Sequence, residues 1–121
     1  SWGAARVADC GDSAHAIQVL DDTLPADARW FSSERVGSCA ALVAPGRRVF
    51  IDTRFDFYPE SFVLAWFMAY QHRRDWQGVF QRWHIDHALL ADTAPLVPVL
   101  DRAPNFHRRR IDDRMLLFSR R

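Results

Sequence analysis

Lysine is absent from this chain of 121 residues: all sixteen of its basic residues are arginine. They are balanced by fifteen acidic residues, so the formal net charge is +1. No overall positive field therefore indicates a nucleic acid or an anionic membrane as partner. We read the missing lysine as a bias of genomic base composition, although arginine also favours bidentate pairing with carboxylates.

Long hydrophobic runs are absent as well. The longest one, residues 61–70, has about half the length that a membrane-spanning helix needs. The first ten residues lack the basic-then-apolar order of a signal peptide. A length of 121 residues predicts a single domain, and 49% hydrophobic residues are enough for a core. Residues 1–121 are therefore expected to form one soluble domain, whose α/β class follows from the order of its elements. Because the chain starts without Met, we expect it to be a fragment of a longer protein or a processed chain.

Cysteine and glycine are scarce, which excludes several kinds of site. Cys10 and Cys39 form no C-x-x-C motif, so a zinc knuckle or a thioredoxin-like site is not indicated. The two cysteines can form one disulfide in an oxidising compartment, and the sequence leaves this pairing open. The five glycines are dispersed, so no phosphate-binding loop is present, and no G-x-S-x-G motif occurs.

Helix-like and strand-like segments alternate along the chain after an irregular lead-in at residues 1–12. Helical patterns cover residues 13–24, 33–43, 60–72 and 75–83, with a short helix after Thr93 that Pro98 limits. Strand patterns cover residues 28–32, 47–52, 85–91, 106–111 and 115–119. This order predicts a three-layer α/β sandwich with a mainly parallel sheet of about four to five strands and a C-terminal antiparallel hairpin.

The stretch 47–58 is the most distinctive in the sequence. It begins as an apolar strand and ends in Asp52, Arg54 and Asp56, which alternate with uncharged residues. In an extended chain the three charges would share one side. Such a tip is typical of binding sites beyond the carboxyl ends of strands in open α/β sheets. Alternatively, Arg54 only neutralises two aspartates and fixes a loop.

The segment 60–72 is apolar nearly all round its helical circumference. Such a helix is buried on several sides, or it contacts something outside the domain. Trp66, Phe67 and Tyr70 are the candidate apolar contact face. Packing in the core is the alternative interpretation.

Other candidates for chemistry are weaker, and the sequence predicts no catalytic residue, metal or cofactor. His84 and His87 would point to opposite faces of a strand, which does not suit a metal site. Asp52, Asp56 and Glu60 could serve as acid and base, but Arg54 beside them favours the ionised form and hence anchoring. Arg108 to Arg110 could contact phosphates, although a solvated edge strand explains them better.

Three motifs together resemble a known family. They are V-F-I-D-T-R-F-D-F-Y at 49–58, W-H-I-D-H-A-L-L at 83–90 and R-R-R-I-D-D-R-M-L-L-F-S-R-R at 108–121. The chain resembles the soluble C-terminal, extracytoplasmic domain of bacterial multi-spanning membrane proteins akin to GT-C-type, lipid-linked-sugar glycosyltransferases. The family pattern falls on Asp52, Arg54, Asp56, Tyr58 and Asp86.

This sequence departs from that family pattern at two places. Thr53 stands where the family usually has glycine. Upstream, Val36-Gly37-Ser38 stands where relatives often carry an aromatic residue followed by two glycines. The resemblance therefore assigns no ligand-binding role to residues 36–38 of this chain.

The resemblance implies a non-catalytic domain on the periplasmic side of the cytoplasmic membrane. Its partner would be the transmembrane part of its own chain, with a role in packing there or in recognising an acceptor, a glycan or a lipid-linked sugar. Two other functions stay open: a free-standing small enzyme that uses Asp52 and Asp56, and a nucleic-acid-binding module built on residues 108–110. The near-neutral charge counts against the second.

Overall fold

Five α-helices and four β-strands make up the part of the chain that the computed structural model describes, residues 6–121. The helices are α1 (Asp12–Thr23), α2 (Glu34–Val43), α3 (Glu60–His72), α4 (Trp76–Arg82) and α5 (Val97–Arg102). The strands are β1 (Trp30–Phe31), β2 (His87–Ala91), β3 (Phe106–Arg110) and β4 (Met115–Arg120). The expected α/β class is thus confirmed. The expected irregular lead-in at 1–12 lies partly outside the described residues.

The four strands form one sheet in the order β1-β2-β4-β3. β1 runs parallel to β2, whereas β4 is antiparallel to both β2 and β3. The prediction of a mainly parallel sheet is therefore wrong. It counted residues 47–52 as a strand of the sheet, and it did not foresee that β4 inserts between β2 and β3.

Residues 47–52 run alongside β1 in space but do not join the sheet. The indole N–H of Trp30 donates to the Arg48 carbonyl oxygen over 2.8 Å, and the Phe50 ring lies 5.2 Å from that of Phe31. Between residues 6 and 121, no backbone hydrogen bond links this segment to β1. The Trp30 indole thus bonds to a carbonyl oxygen that a backbone N–H would bond to in a paired strand. The apolar side chains of the segment are covered by side-chain packing alone. A strand-like sequence pattern cannot distinguish the two arrangements.

Apolar side chains of the sheet pack on both of its faces. In β4, Leu116 and Phe118 belong to one buried cluster, with side chains from α3, α4 and α5. Met115 and Leu117 belong to a second cluster, with side chains from α1 and α2. The alternation of a strand assigns successive residues to opposite faces. Residues 115–118 of the strand are all apolar because both faces of the sheet are covered there.

The starts of three helices depend on different local features. Gly11 (φ 55°) occupies the N-cap position of α1. Asp75 occupies the N-cap position of α4, but its carboxylate makes no capping hydrogen bond. The helix after Thr93 begins only at Val97, so Pro98 lies in its first turn, where proline is tolerated, and does not limit it.

The structure joins Cys10 and Cys39 in a disulfide, which spans 29 residues of sequence. Cys10 ends a short 3-10 turn before α1, and Cys39 lies in α2. The bridge therefore attaches the N-terminal turn to the helix that follows β1.

Removing this disulfide should destabilise the domain. A cross-link that closes a loop of this length lowers the entropy of the unfolded chain, so we expect the double variant Cys10→Ala/Cys39→Ala to lose about 3 kcal/mol of unfolding free energy. Urea unfolding under oxidising conditions measures the loss. Adding a reductant should lower the stability of the natural chain to that of the variant and leave the variant unchanged. Equal stability of the natural chain with and without reductant would contradict the expectation.

Candidate functional site

Asp52 and Arg54 form the most tightly bonded polar pair in the stretch singled out from the sequence. Asp52 is only 3% exposed. It accepts three hydrogen bonds from Arg54: one from the backbone N–H (2.9 Å), one from Nε (3.0 Å) and one from the terminal guanidinium nitrogen (2.7 Å). The Arg54 side chain itself is 65% exposed. A buried carboxylate thus holds an arginine at the surface.

Contacts with α2 position this pair. The Ile51 carbonyl oxygen lies where a Cβ of residue 37 would be, so this approach requires Gly37. Next to it, the Thr53 backbone N–H donates to Ser38 Oγ over 3.0 Å, and the hydroxyl groups of Ser38 and Thr53 lie 2.9 Å apart. The Gly37-Ser38 pair, which the sequence left without a role, therefore receives the loop that carries Asp52.

The interaction between Asp52 and Arg54 favours the ionised form of both side chains. Burial alone would raise the pKa of Asp52, but the hydrogen bonds and charge of Arg54 outweigh it and hold that pKa below its ordinary value. The bonds and charge of Asp52 in turn raise the pKa of Arg54. Burial, followed by the charge of Asp52, raises the pKa of Tyr58. An ionised, fully bonded carboxylate is suited to anchoring and not to accepting a proton near neutral pH.

Asp56, Tyr58 and Asp86 are placed differently from the pair. Asp56 is exposed, and it has neither a side-chain hydrogen bond nor an ion pair among residues 6–121. The Tyr58 ring stacks on Phe62 at 5.4 Å. Asp86 lies beside the start of β1, where its backbone N–H bonds to the residue before that strand and its carboxylate accepts from Arg120 over 2.9 Å. Asp86 therefore belongs to a different part of the surface.

The three residues named as an apolar face on α3 do not share one environment. Trp66 is buried, and its indole N–H donates to the Ser32 carbonyl oxygen over 2.9 Å. Tyr70 is half-buried and stacks on Trp66 at 5.5 Å. Phe67 alone of the three is exposed. Trp66 and Tyr70 therefore serve mainly the core, and they offer little area to a partner.

Other apolar side chains near α3 are exposed in their place. Leu64 (57% exposed) and Phe67 (41%) lie three residues apart on α3, and Phe55 (41%) and Phe57 (75%) lie on the turn before it. We call these four residues the exposed apolar surface. Phe55 and Phe67 both lie within 6.3 Å of the Trp66 ring, and the Arg54 guanidinium covers Phe57 at 5.1 Å. The sequence pattern missed Phe55 and Phe57 because it placed them on the buried side of a strand.

The remaining sequence candidates are engaged elsewhere. Arg108 pairs with Asp101 at 3.2 Å and Arg110 with Asp92 at 3.3 Å, so two of the three consecutive arginines on the edge strand β3 already have acidic partners.

The His87 side chain is hydrogen-bonded to a neighbouring strand and does not belong to a group of metal-binding side chains among residues 6–121. Its Nδ1 lies 2.8 Å from Ser119 Oγ. Burial, reinforced by nearby His107, lowers its pKa despite the opposing charge of Asp86. Across residues 6–121, no three acidic, histidine or cysteine side chains are placed to hold a metal ion.

Comparisons of the chain with protein-family models, with curated proteins and with solved structures find no match. Among the helices of residues 6–121, none combines the length and the apolar character needed to cross a bilayer.

Replacing Asp52 by asparagine should destabilise the domain and change its pH dependence. Because folding lowers the pKa of Asp52 below 3.8, its contribution is complete well above that pH and is lost as the pH falls through the folded value. We expect Asp52→Asn to cost about 1–2 kcal/mol at pH 7 and progressively less toward pH 3. Urea unfolding across this range measures the difference. The exposed neighbour gives the control Asp56→Asn, and an equal effect of both variants at pH 7 would contradict the expectation.

Adding a methyl group at Gly37 should separate α2 from the loop. Alanine normally favours a helix over glycine, but here its Cβ overlaps the Ile51 carbonyl oxygen. We expect Gly37→Ala to lower the unfolding free energy by about 1–3 kcal/mol. Gly46, where a Cβ meets no atom within 4 Å, gives the control Gly46→Ala, with an expected change within about 0.5 kcal/mol. Denaturant unfolding compares them, and unchanged stability of Gly37→Ala would refute the close approach.

Proposed function

We propose that this chain is a non-catalytic, extracytoplasmic domain of a multi-spanning membrane protein, similar to the GT-C-type glycosyltransferase tails that its motifs resemble. It packs against the membrane-embedded part of its own parent chain through the exposed apolar surface. In this proposal the domain keeps the three-layer arrangement expected from the sequence, with α3 on the side that meets the parent.

The exposed apolar surface is the observation that carries the proposal. Of the large apolar side chains exposed within residues 6–121, four lie between positions 55 and 67, and two lie elsewhere, at Val7 and Leu42. Clustered apolar residues with a charged edge are typical of surfaces that contact another protein or a membrane boundary. Aromatic rings and arginines are also the residues that favour the boundary between an apolar phase and water.

The arginine at the edge of this surface supports a docking role. Two hydrogen bonds to a buried carboxylate fix the Arg54 guanidinium, which lies over Phe57 in a defined orientation. A positioned arginine loses less side-chain freedom on association than a mobile one. An arginine beside aromatic anchors is also a combination enriched in the centres of interfaces.

The disulfide supports the expected compartment. Bridges such as Cys10–Cys39 persist in the periplasm and outside the cell, and they are rare in the reducing cytoplasm. A domain that contains one fits the extracytoplasmic side of a bacterial membrane.

The rival enzyme function has weaker support. A general base at this site would need a carboxylate that is desolvated and not paired with Arg54. Asp52 is desolvated but paired, and Asp56 is exposed to water. Neither carboxylate meets both conditions.

A photocrosslinking experiment on the full-length parent in its native membrane tests the proposal. Benzoylphenylalanine in place of Phe57 or Leu64 should crosslink to membrane-embedded segments of the same chain, and mass spectrometry of the digested protein identifies the joined peptides. The matched control is Leu42, which is also exposed and apolar but lies on α2.

Two outcomes would contradict the proposal. One is a natural gene that encodes no membrane-spanning segment beside this domain. The other is crosslinking of equal yield from positions 42 and 64. Products that join position 57 or 64 to a glycan would instead assign the surface to acceptor recognition.

A further inference from the structure

A cleft of about 190 Å³ opens between β1 and residues 48–50. The rings of Phe50, Phe62 and Trp83 line it, together with Arg29 and Arg48. We propose that this cleft binds a small phosphate monoester, with the phosphate between the two arginines and an organic ring against the aromatic side chains.

The three rings form a preassembled apolar wall. Phe50 and Phe62 stack at 4.7 Å, and Trp83 meets them edge-on at 5.6 Å and 5.2 Å. All three are half-buried, while Ile85 at the cleft is fully buried. Each ring is thus held by its neighbours and still presents part of its surface. A flat apolar group can pack there at little cost in side-chain entropy.

Two arginines from separate segments supply the charge. The guanidinium of Arg29 donates to the Trp83 carbonyl oxygen over 3.3 Å, which attaches it to the wall. The backbone of Arg48 is fixed by the hydrogen bond from the Trp30 indole. No acidic residue lines the cleft, and neither arginine has an ion-pair partner within the described part of the chain. Two arginines without a carboxylate partner therefore border the cleft, and a third guanidinium, that of Arg82, lies over the Trp83 ring at 4.8 Å.

This charge favours a phosphate monoester over a carboxylate. A monoester carries a charge of about −1.5 to −2 near pH 7 and three acceptor oxygens, which matches two guanidinium groups. A carboxylate carries one charge and is satisfied by a single arginine fork. The volume lies below the roughly 300 Å³ at which drug-sized pockets begin, so the organic part is about one ring in size.

The site is distinct from the exposed apolar surface. None of Phe55, Phe57, Leu64 and Phe67 lines the cleft, and Arg54 does not reach it. Ligand binding here can therefore be tested on the isolated domain, whatever the outcome of the docking experiment.

Titration with phenyl phosphate, followed by NMR of the tryptophan indole N–H groups, tests the proposal. We expect the Trp30 and Trp83 signals to shift with a saturable dependence on concentration. Inorganic phosphate and benzyl alcohol, which each supply one half of the ligand, should bind at least about tenfold more weakly.

Arginine variants separate a specific clamp from general attraction of an anion. Arg29→Gln and Arg48→Gln should each weaken phenyl phosphate binding by about tenfold, the loss expected for one charge-assisted contact. The control Arg109→Gln removes an exposed arginine on β3 that is remote from the cleft, and it should leave the affinity unchanged. Thermal unfolding of all three variants confirms that the fold is kept.

Several results would overturn the proposal. They are shifts no larger at Trp83 than at tryptophans outside the cleft, equal weakening by Arg48→Gln and Arg109→Gln, and affinity for benzoate equal to that for phenyl phosphate.

If phenyl phosphate binds as expected, vesicles containing phosphatidic acid distinguish the source of the ester. Binding to them that Arg48→Gln abolishes would identify a lipid headgroup, and no binding would identify a soluble ester.

Discussion

The exposed apolar surface and the cleft beside β1 both depend on one constraint, the close approach of the Ile51 backbone to Gly37. It brings the end of the segment 47–52 against α2, where Ile51 is fully buried and Asp52 nearly so. A carboxylate in that position needs a partner, and Arg54 supplies three hydrogen bonds from two residues away. The chain then forms a short 3-10 turn, in which Phe55 and Phe57 are exposed. One backbone contact thus determines which side chains of this stretch are inside and which are outside.

The same segment explains why a cleft exists beside β1. An apolar stretch at the edge of a sheet would normally add a further strand and close the gap. Here the Trp30 indole bonds to Arg48, and Phe50 packs on Phe31 and Phe62, so the segment is held near β1 without a ladder of backbone hydrogen bonds. A space lined by these rings remains between the two. The segment that fails to become a strand therefore forms one wall of the cleft.

The sequence predicted the local elements better than their assembly. The most apolar helix, α3, and the strand pattern of β2 and β4 were visible because their periodicity is strong over several residues. Residues 47–52 were misplaced because apolar β-branched and aromatic residues suit a strand and an extended buried loop equally. The insertion of β4 between β2 and β3 depends on long-range pairing, which no local pattern contains. For the candidate site, the Asp52–Arg54 pair could be predicted from spacing, but its separation from Asp86 could not.

Three side chains in residues 52–57, those of Asp52, Phe55 and Phe57, have the opposite exposure to the one that a strand would impose, and this difference bears on function. In a strand the charged side chains would face solvent and Phe55 and Phe57 would be covered. In the structure Asp52 is buried, whereas Phe55 and Phe57 are exposed. Burying a carboxylate and exposing two phenylalanines are both unfavourable for an isolated domain, and Arg54 offsets only the first. Unfavourable arrangements of this kind are concentrated where a protein meets something else, because a partner that covers the rings recovers the apolar contribution. This arrangement is the physical support for our proposal that this side of α3 is covered when the domain is in place.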